Sequence, residues 1–307
     1  MKENEKFEIL LFYKYVDIKD PEALKLDQRR LCEDLSLKGR IIVAKEGINA
    51  TLEGKKENTD KYLSVFLADP RFKDTHIKRS GGTGNAFPRL SIKVRKDLVS
   101  DSLPVQVDPN QVTGKRLSPD ELHQWYQNKK GEFYVVDMRN DYEYNVGHFD
   151  GSLLPGMKNF RDLPLAKEKI ADLKDKTVVT VCTGGVRCEK ASGFLVKEGF
   201  KDVYQLDGGI VSYMEKYPGE AFKGSLYVFD NRKVMTFDDP SKHTVIGRCG
   251  ICEKPSENYT NCTLDTCHEH FICCEDCKNA QNGNTFCSEK CQETYFAQKG
   301  EKVVVNS

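Results

Sequence analysis

The sequence lacks an excess of charge of either sign, and it lacks any long apolar run. Its 307 residues include 47 Lys and Arg against 47 Asp and Glu. No overall field therefore attracts nucleic acid or a lipid surface, and such a partner has to be met by a local patch. No window approaches the roughly 18 apolar residues of a membrane-spanning helix, and the apolar stretch at residues 9–13 is too short for the core of a secretion signal. We therefore expect a cytoplasmic protein with no membrane partner.

Two common cofactor signatures are also missing from the sequence. There is no Gly-rich dinucleotide fingerprint, and there is no pattern of two histidines and one carboxylate of the kind that binds ferrous iron. No nucleotide cofactor and no ferrous iron site are therefore evident in this sequence.

Cysteine, in contrast, is abundant and unevenly placed. Nine of the 12 cysteines lie between positions 249 and 291. In a long chain without an export signal, closely spaced cysteine pairs indicate metal ligation in a reducing compartment, and a disulfide cluster is the alternative. Four pairs are enough for two tetrahedral thiolate sites of structural zinc: Cys249 and Cys252, Cys262 and Cys267, Cys274 and Cys277, and Cys287 and Cys291.

Three other residues of this region could also bind metal, so the sequence does not determine the four ligands of each site. Cys273 is a spare if each pair supplies half of a site. His268 and His270 could each replace a thiolate or could lie on the surface. The spacing does not decide which pairs share an ion.

The order of predicted elements indicates three regions and one linker. Residues 1–100 alternate strands at 7–15, 40–44, 48–52, 75–79 and 90–94 with helices at 21–35 and 57–67. The first six of these elements follow a βαββαβ order, which predicts a ferredoxin-like (acylphosphatase-like) α+β domain, in which two helices back a small antiparallel sheet. Residues 101–117 are rich in Pro, Asp and Asn and have no periodicity, which predicts a linker.

The second region, residues 118–218, shows a βαβ pattern. Ser118 is placed to cap a helix that has Pro119 at its first position. Short apolar strands at 133–137, 178–181 and 203–205, with a helix at 191–198, predict an α/β domain whose parallel sheet is covered on both faces. Residues 219–307 are the Cys-rich C-terminal region, which has too few apolar residues between its cysteines for an ordinary core.

One loop of the second region carries the clearest chemical signal. The strand at 178–181 is followed by a glycine-containing turn that carries a thiol. The turn consists of Cys182, Thr183, Gly184, Gly185, Val186 and Arg187. Backbone N–H groups at such a turn, and the positive end of the following helix, stabilise an anion. They lower the pKa of a thiol and can cradle a bound sulfur or oxyanion. The alternative is a buried structural cysteine at the end of a strand.

The spacing within this loop argues against phosphate-ester hydrolysis. Phosphatases of this design use a Cys-x5-Arg loop, whereas Arg187 follows Cys182 after only four residues. Cys188 stands where the phosphatase arginine would be. Cys188 has two interpretations, as a thiol that resolves an oxidised or persulfidated Cys182 or as a residue packed against the sheet.

Several motifs together resemble a rhodanese domain over residues 118–217. They are the loop at 182–187 and the segments at 137–139, 147–149 and 206–209. In that family the loop cysteine carries a persulfide, so the resemblance assigns this role to Cys182. It also implies parallel strands with helices on both sides, and it leads us to expect Asp137 and Arg139 to form a buried structural ion pair.

Nearly the whole chain resembles the bacterial rhodanese-domain tRNA uridine(34) hydroxylases, in the segments at 39–49, 94–96, 182–190 and 229–230. This resemblance implies an oxidoreductase that uses molecular oxygen to form 5-hydroxyuridine at the wobble position, with the tRNA anticodon arm as its partner. The catalytic candidates are Cys182, Arg187 and Cys188. The alternative function is a persulfide sulfurtransferase that acts on a thiol or on tRNA.

A local basic segment offers a surface for RNA within this neutral chain. Residues 71–96 contain eight Lys and Arg but only one acid, Asp74. We predict that six of these cations contact phosphates: Lys78, Arg79, Arg89, Lys93, Arg95 and Lys96. Phe72, His76 and Phe87 could stack an unpaired base if they are exposed. The alternative is that these charges are only solvated.

Overall fold

A computed structural model describes residues 7–100, 102–128 and 132–299 of the chain. The predicted regions also include residues 1–6, 101, 129–131 and 300–307, which lie outside the described residues. The elements of the N-terminal domain are β1 (Phe7–Tyr15), α1 (Pro21–Asp34), β2 (Lys38–Ala44), β3 (Gly47–Lys55), α2 (Lys56–Phe66), β4 (Lys78–Gly81) and β5 (Leu90–Val94).

These strands form one sheet in the order β4-β1-β3-β2-β5. The first four strands pair in antiparallel fashion, as the ferredoxin-like pattern predicts. The fifth strand runs parallel to β2, so the sheet is mixed rather than purely antiparallel. Strand β4 begins at Lys78, three residues later than the predicted start at 75.

Side-chain alternation gives this sheet two different faces. One face carries the core residues Leu10, Phe12, Val43 and Leu52, which are buried under α1 and α2. On the opposite face, which we call the open face, the strand register brings these side chains together: Leu11 and Tyr13 of β1, Thr51 and Asn49 of β3, and Arg40 and Ile42 of β2. The open face is the one that meets the next domain.

The central domain contains β6 (Lys115–Leu117), α3 (Pro119–Asn128), β7 (Phe133–Asp137), α4 (Asp141–Val146), β8 (Gly147–Phe149), α5 (Leu163–Ala166), β9 (Thr177–Val181), α6 (Val186–Lys197), β10 (Asp202–Leu206) and α7 (Gly209–Lys216). Its main sheet is parallel, in the order β6-β10-β9-β7. Strand β6 comes from the segment that the sequence predicted to be a linker, and it joins the sheet by pairing with β10.

The Cys-rich region has short elements: β11 (Phe222–Gly224), β12 (Leu226–Tyr227), β13 (Val234–Met235), β14 (Tyr259–Asn261), β15 (His270–Ile272), α8 (Glu275–Ala280) and α9 (Glu289–Lys299). An aromatic cluster of Tyr142, Tyr227, Tyr259 and His270 packs this region against α4 of the central domain. None of the helices in the described ranges is long and apolar enough to cross a membrane.

Candidate active site

Cys182 lies directly after β9, where the parallel sheet ends and α6 begins. Its side chain is fully buried, and its Sγ accepts a hydrogen bond from the N–H of Gly185 at 3.2 Å. Gly185 caps α6 with a φ of 101°, and a Cβ at this position would lie 2.8 Å from the Tyr13 hydroxyl. Both the backbone conformation and the close contact therefore require glycine. The turn has the geometry of an anion cradle.

The surroundings of Cys182 favour its thiolate. Burial alone would raise the pKa of Cys182. A hydrogen bond from the Cys188 thiol, the charge of Arg187 and the backbone N–H groups of both residues outweigh burial and hold this pKa well below 9.0. Burial and the neighbouring Cys182 raise the pKa of Cys188 well above 9.0. Cys188 is therefore the thiol that keeps its proton and donates it in a hydrogen bond, while Cys182 is the sulfur that the loop stabilises as a thiolate.

Arg187 is held by a carboxylate that sequence reasoning missed. Its guanidinium donates to both oxygens of Glu143, at 2.6 and 2.7 Å, and to the Thr183 hydroxyl at 3.2 Å. Glu143 lies in the first turn of α4 and is fully buried, with no exposed surface. Its spacing from Asn140 is that of a capping box, which predicts the helix start but not the contact with Arg187.

The loop forms one wall of a cleft of about 600 Å³. The opposite wall is the open face of the N-terminal sheet, which places Arg40, Asn49 and Thr51 across from Cys182. Phe229 borders the cleft as well, is 45% exposed and lies 5.8 Å from the Arg187 guanidinium. The cleft thus combines a stabilised thiolate, polar groups and an exposed aromatic ring.

Contacts between the two domains hold the loop against the open face. The Tyr13 hydroxyl donates to Glu189 of α6 at 3.0 Å, and Glu189 also pairs with Arg116 at 2.7 Å. Lys190 pairs with Glu46 at 3.0 Å from the other side of α6. The carboxylate of Glu189 is nearly fully buried, whereas the side chain of Arg116 is 55% exposed, so solvent screens this ion pair in part.

The structure corrects part of the predicted RNA-contact set. Lys78 is only 4% exposed, and its ammonium donates to the Gly184 carbonyl at 2.9 Å, so it is not a surface cation. Arg79 is exposed but pairs with Glu8 and Asp60 on the helix-covered side of the sheet. Phe72 and Phe87 are buried because their rings fill hydrophobic cores, so neither can stack a base.

The other predicted cations form an accessible group. Arg89, Lys93, Arg95 and Lys96 are exposed, and no ion pair links them to an acid within the described part of the chain. Lys93 lies opposite Ile42 in the strand register, so it shares the open face that borders the cleft. His76 is also exposed.

Asp137 and Arg139 form the buried ion pair that the sequence predicts. The guanidinium and the carboxylate are both fully buried, with a shortest distance of 2.7 Å. Arg139 also donates to the Gly147 carbonyl at 2.6 Å. The pair links the end of β7 to β8 and is separate from the cleft lining.

Eight cysteines of the C-terminal region converge into two groups of four. In each group all four Sγ atoms lie within 4.8 Å of one another, so each could hold a metal ion: Cys249, Cys252, Cys274 and Cys277 in the first, and Cys262, Cys267, Cys287 and Cys291 in the second. The pairs are interleaved along the chain, which spacing alone does not reveal. Cys273, His268 and His270 belong to neither group.

Comparison with known proteins accounts for all three regions. The chain matches a UPF0176 acylphosphatase like domain over residues 7–98, a rhodanese-like domain over 118–216 and a rhodanase C-terminal domain over 223–292. It is similar to proteins named tRNA uridine(34) hydroxylase from three bacteria. The Bacillus licheniformis protein is 42% identical over 93% of this chain and 88% of its own length. The protein from Aster yellows witches'-broom phytoplasma is 44% identical over 94% of this chain and 93% of its own length. The Staphylococcus aureus protein is 42% identical over 93% of this chain and 89% of its own length.

Proposed function

Because this chain belongs to the tRNA uridine(34) hydroxylase family, we propose that it is an oxidoreductase that converts the wobble uridine of tRNA to 5-hydroxyuridine. The observation that carries this proposal is the thiolate-stabilising loop at Cys182, which borders a cleft of about 600 Å³. This volume is in the range of small-molecule sites and admits a nucleotide that has turned out of an RNA loop. The exposed ring of Phe229 offers a stacking surface for its base.

Molecular oxygen is the proposed co-substrate. Insertion of one oxygen atom into the C5–H bond of uracil leaves a second oxygen atom, which two electrons from an outside reductant and two protons from solvent convert to water. A thiolate at Cys182 can take part by adding to the uracil ring, which makes the neighbouring ring carbon electron-rich, or by carrying oxygen after its own oxidation. The hydrogen bond from Cys188 would then stabilise the sulfur as a thiolate when it leaves the ring.

The anticodon arm of tRNA is the proposed partner. The wobble base lies in a single-stranded loop, so an enzyme can reach it without melting a duplex. Arg40 and Lys93 on the open face, with Arg89, Arg95 and Lys96 nearby in sequence, provide unpaired cations for the phosphates that flank the base. A tRNA substrate of this kind would place the protein in the cytoplasm.

Zinc is the proposed occupant of both four-cysteine groups. Four thiolates without an open position are typical of closed structural zinc sites, and sulfur ligands select against magnesium or calcium. Contacts such as 3.6 Å between the Sγ atoms of Cys252 and Cys274 suit four ligands around one ion. Because the two sets interleave, the ions would tie residues 249–291 into one module that packs on α4, where Glu143 lies.

Mass spectrometry of tRNA nucleosides tests this function. A strain that lacks the gene should lose 5-hydroxyuridine and its derivatives, and the wild-type chain should restore them while Cys182→Ser should not. Cys32→Ala is the matched control, because it removes a buried thiol of the N-terminal domain far from the loop. Loss of thiolated bases instead would favour the sulfurtransferase, and unchanged nucleosides would contradict both functions.

A further inference from the structure

Lys78 is a buried cation that the function described so far does not use. The register of β4 with β1 places it opposite Leu11, on the open face of the N-terminal sheet. Its side chain is 4% exposed, and its ammonium donates to the Gly184 carbonyl at 2.9 Å. The ammonium also lies 5.4 Å from the centre of the Tyr13 ring. The N-terminal domain thus inserts a positive charge into the loop of the central domain.

No carboxylate in the described part of the chain forms an ion pair with this ammonium. A buried charge without a counterion is costly, and proteins retain such groups mainly where they have a function. Four charged groups interact electrostatically with this ammonium, and the Cys182 thiolate interacts most strongly, ahead of Asp207, Glu215 and Arg116. Burial lowers the pKa of Lys78 to about 8, and the charge of Cys182 opposes this effect. The lysine therefore remains largely protonated at neutral pH.

We propose that Lys78 is a positioning residue of the active-site loop, which fixes the Gly184 peptide and adds a second positive charge, besides that of Arg187, to the surroundings of the Cys182 thiolate. The charge belongs to the N-terminal domain, so the thiol is fully activated only while that domain is docked on the loop. This inference rests on the proposed function only in taking Cys182 as the reactive thiol.

Alkylation of Cys182 as a function of pH tests this role directly. Trypsin releases residues 177–187 as a peptide in which Cys182 is the single cysteine, so its modification by iodoacetamide can be followed by mass spectrometry in the full chain. Lys78→Met removes the charge, and Lys78→Gln removes the charge but keeps a hydrogen-bond donor for Gly184. Lys56→Met is the matched control, because this lysine is exposed on α2 and pairs with Asp60.

Both Lys78 variants should raise the pH midpoint of alkylation by about one unit. Because the surroundings hold the pKa of Cys182 at about 6, the alkylation rate should fall about tenfold near pH 5, below both midpoints, and about twofold at pH 7. The Lys56 control should follow the wild-type curve. Trp125 fluorescence and metal content check that each variant is folded, and if Lys78→Met does not fold, Lys78→Gln decides the question.

An unshifted curve in a folded Lys78 variant would overturn the inference, and so would an equal shift in the Lys56 control. The nucleoside assay is scored separately. A shifted curve in a protein that makes no 5-hydroxyuridine would reject the proposed function and support the role of Lys78.

Discussion

Replacement of Glu143 by glutamine tests how Arg187 is held beside the Cys182 loop. The change keeps the shape of the side chain but removes its charge. Glutamine can still accept the hydrogen bond from the Asn140 N–H, which is 3.0 Å long in the native protein and caps α4. What is lost is the two-fold ion pair with Arg187, so the arginine is left buried beside a neutral partner.

The expected loss of stability is large because Glu143 is fully buried and the Arg187 side chain is only 10% exposed. Removal of one member of a buried pair typically costs about 3–5 kcal/mol, mostly through the charge that remains uncompensated. Burial alone would raise the pKa of Glu143, but the charge and hydrogen bonds of Arg187 and the charge of Arg139 hold it below 4.5.

The pH dependence of this contribution has a defined sign. Because the pKa of Glu143 is lower in the folded protein than in the unfolded chain, the pair stabilises fully above the unfolded value. Its contribution is lost as the pH falls through the folded value. The difference in stability between wild type and Glu143→Gln should therefore be largest near neutral pH and should shrink in acid.

Urea unfolding followed by tryptophan fluorescence measures this difference in the free energy of unfolding, because the signal comes from the central domain. Trp125 is the single tryptophan of the chain, and its ring packs against Phe133 and Tyr204 of that domain. With a denaturant slope of about 1–3 kcal/mol/M, a loss of about 3 kcal/mol lowers the midpoint by about 1–3 M. The control is Asp120→Asn, which breaks an exposed pair with Lys216 and should leave the midpoint unchanged.

A Glu143→Gln midpoint equal to that of the Asp120 control would refute this account of the site. It would mean that the chain relaxes around an unpaired Arg187, for example by turning the guanidinium toward the open cleft. A loss of stability that persists unchanged in acid would refute the electrostatic origin and leave only packing as the cause.

Other changes test the remaining parts of the molecule. Cys182→Ser should abolish 5-hydroxyuridine formation without moving the urea midpoint, whereas Cys188→Ser should keep partial activity. Nucleoside mass spectrometry measures the activity of both variants, and equal losses would make Cys188 part of the catalytic pair. Metal analysis should find about two zinc ions per chain in wild type and in Cys273→Ser, but about one in Cys274→Ser. An equal zinc content in the two variants would contradict the assigned ligands. Lys93→Glu should weaken tRNA binding and reduce its salt dependence by about one unit of slope, and an unchanged slope would exclude a phosphate contact.

Local patterns in the sequence were sufficient for many elements of the fold. Strand β1 covers the predicted residues Phe7–Tyr15 and β7 the predicted Phe133–Asp137, because side-chain alternation and apolar runs are properties of neighbouring residues. The turn after β9 followed for the same reason, since a strand, two glycines and a helix start lie within a few positions. The helix start itself was placed too late, because the Gly-rich turn ends at Gly185 and α6 already includes Val186.

Contacts between distant residues were decided only by the tertiary structure. Period-two alternation shows that Lys78 and Arg79 point to opposite faces of β4, but it does not show that one face is covered by another domain. Lys78 is therefore buried beside Gly184, while Arg79 stays exposed. Likewise, a capping box predicts a helix at Asn140 without revealing that its glutamate binds an arginine 44 residues away.

The metal ligands show the same division between local and long-range information. Cysteine spacing predicted four pairs, because a pair depends on residues within one turn. The antiparallel pairing of β14 with β15 and the packing around Phe286 bring the first pair to the third and the second to the fourth. Only the folded chain determines which thiolates come together. The energy of a contact depends on the distance between the atoms in space, whereas their separation along the sequence does not enter it.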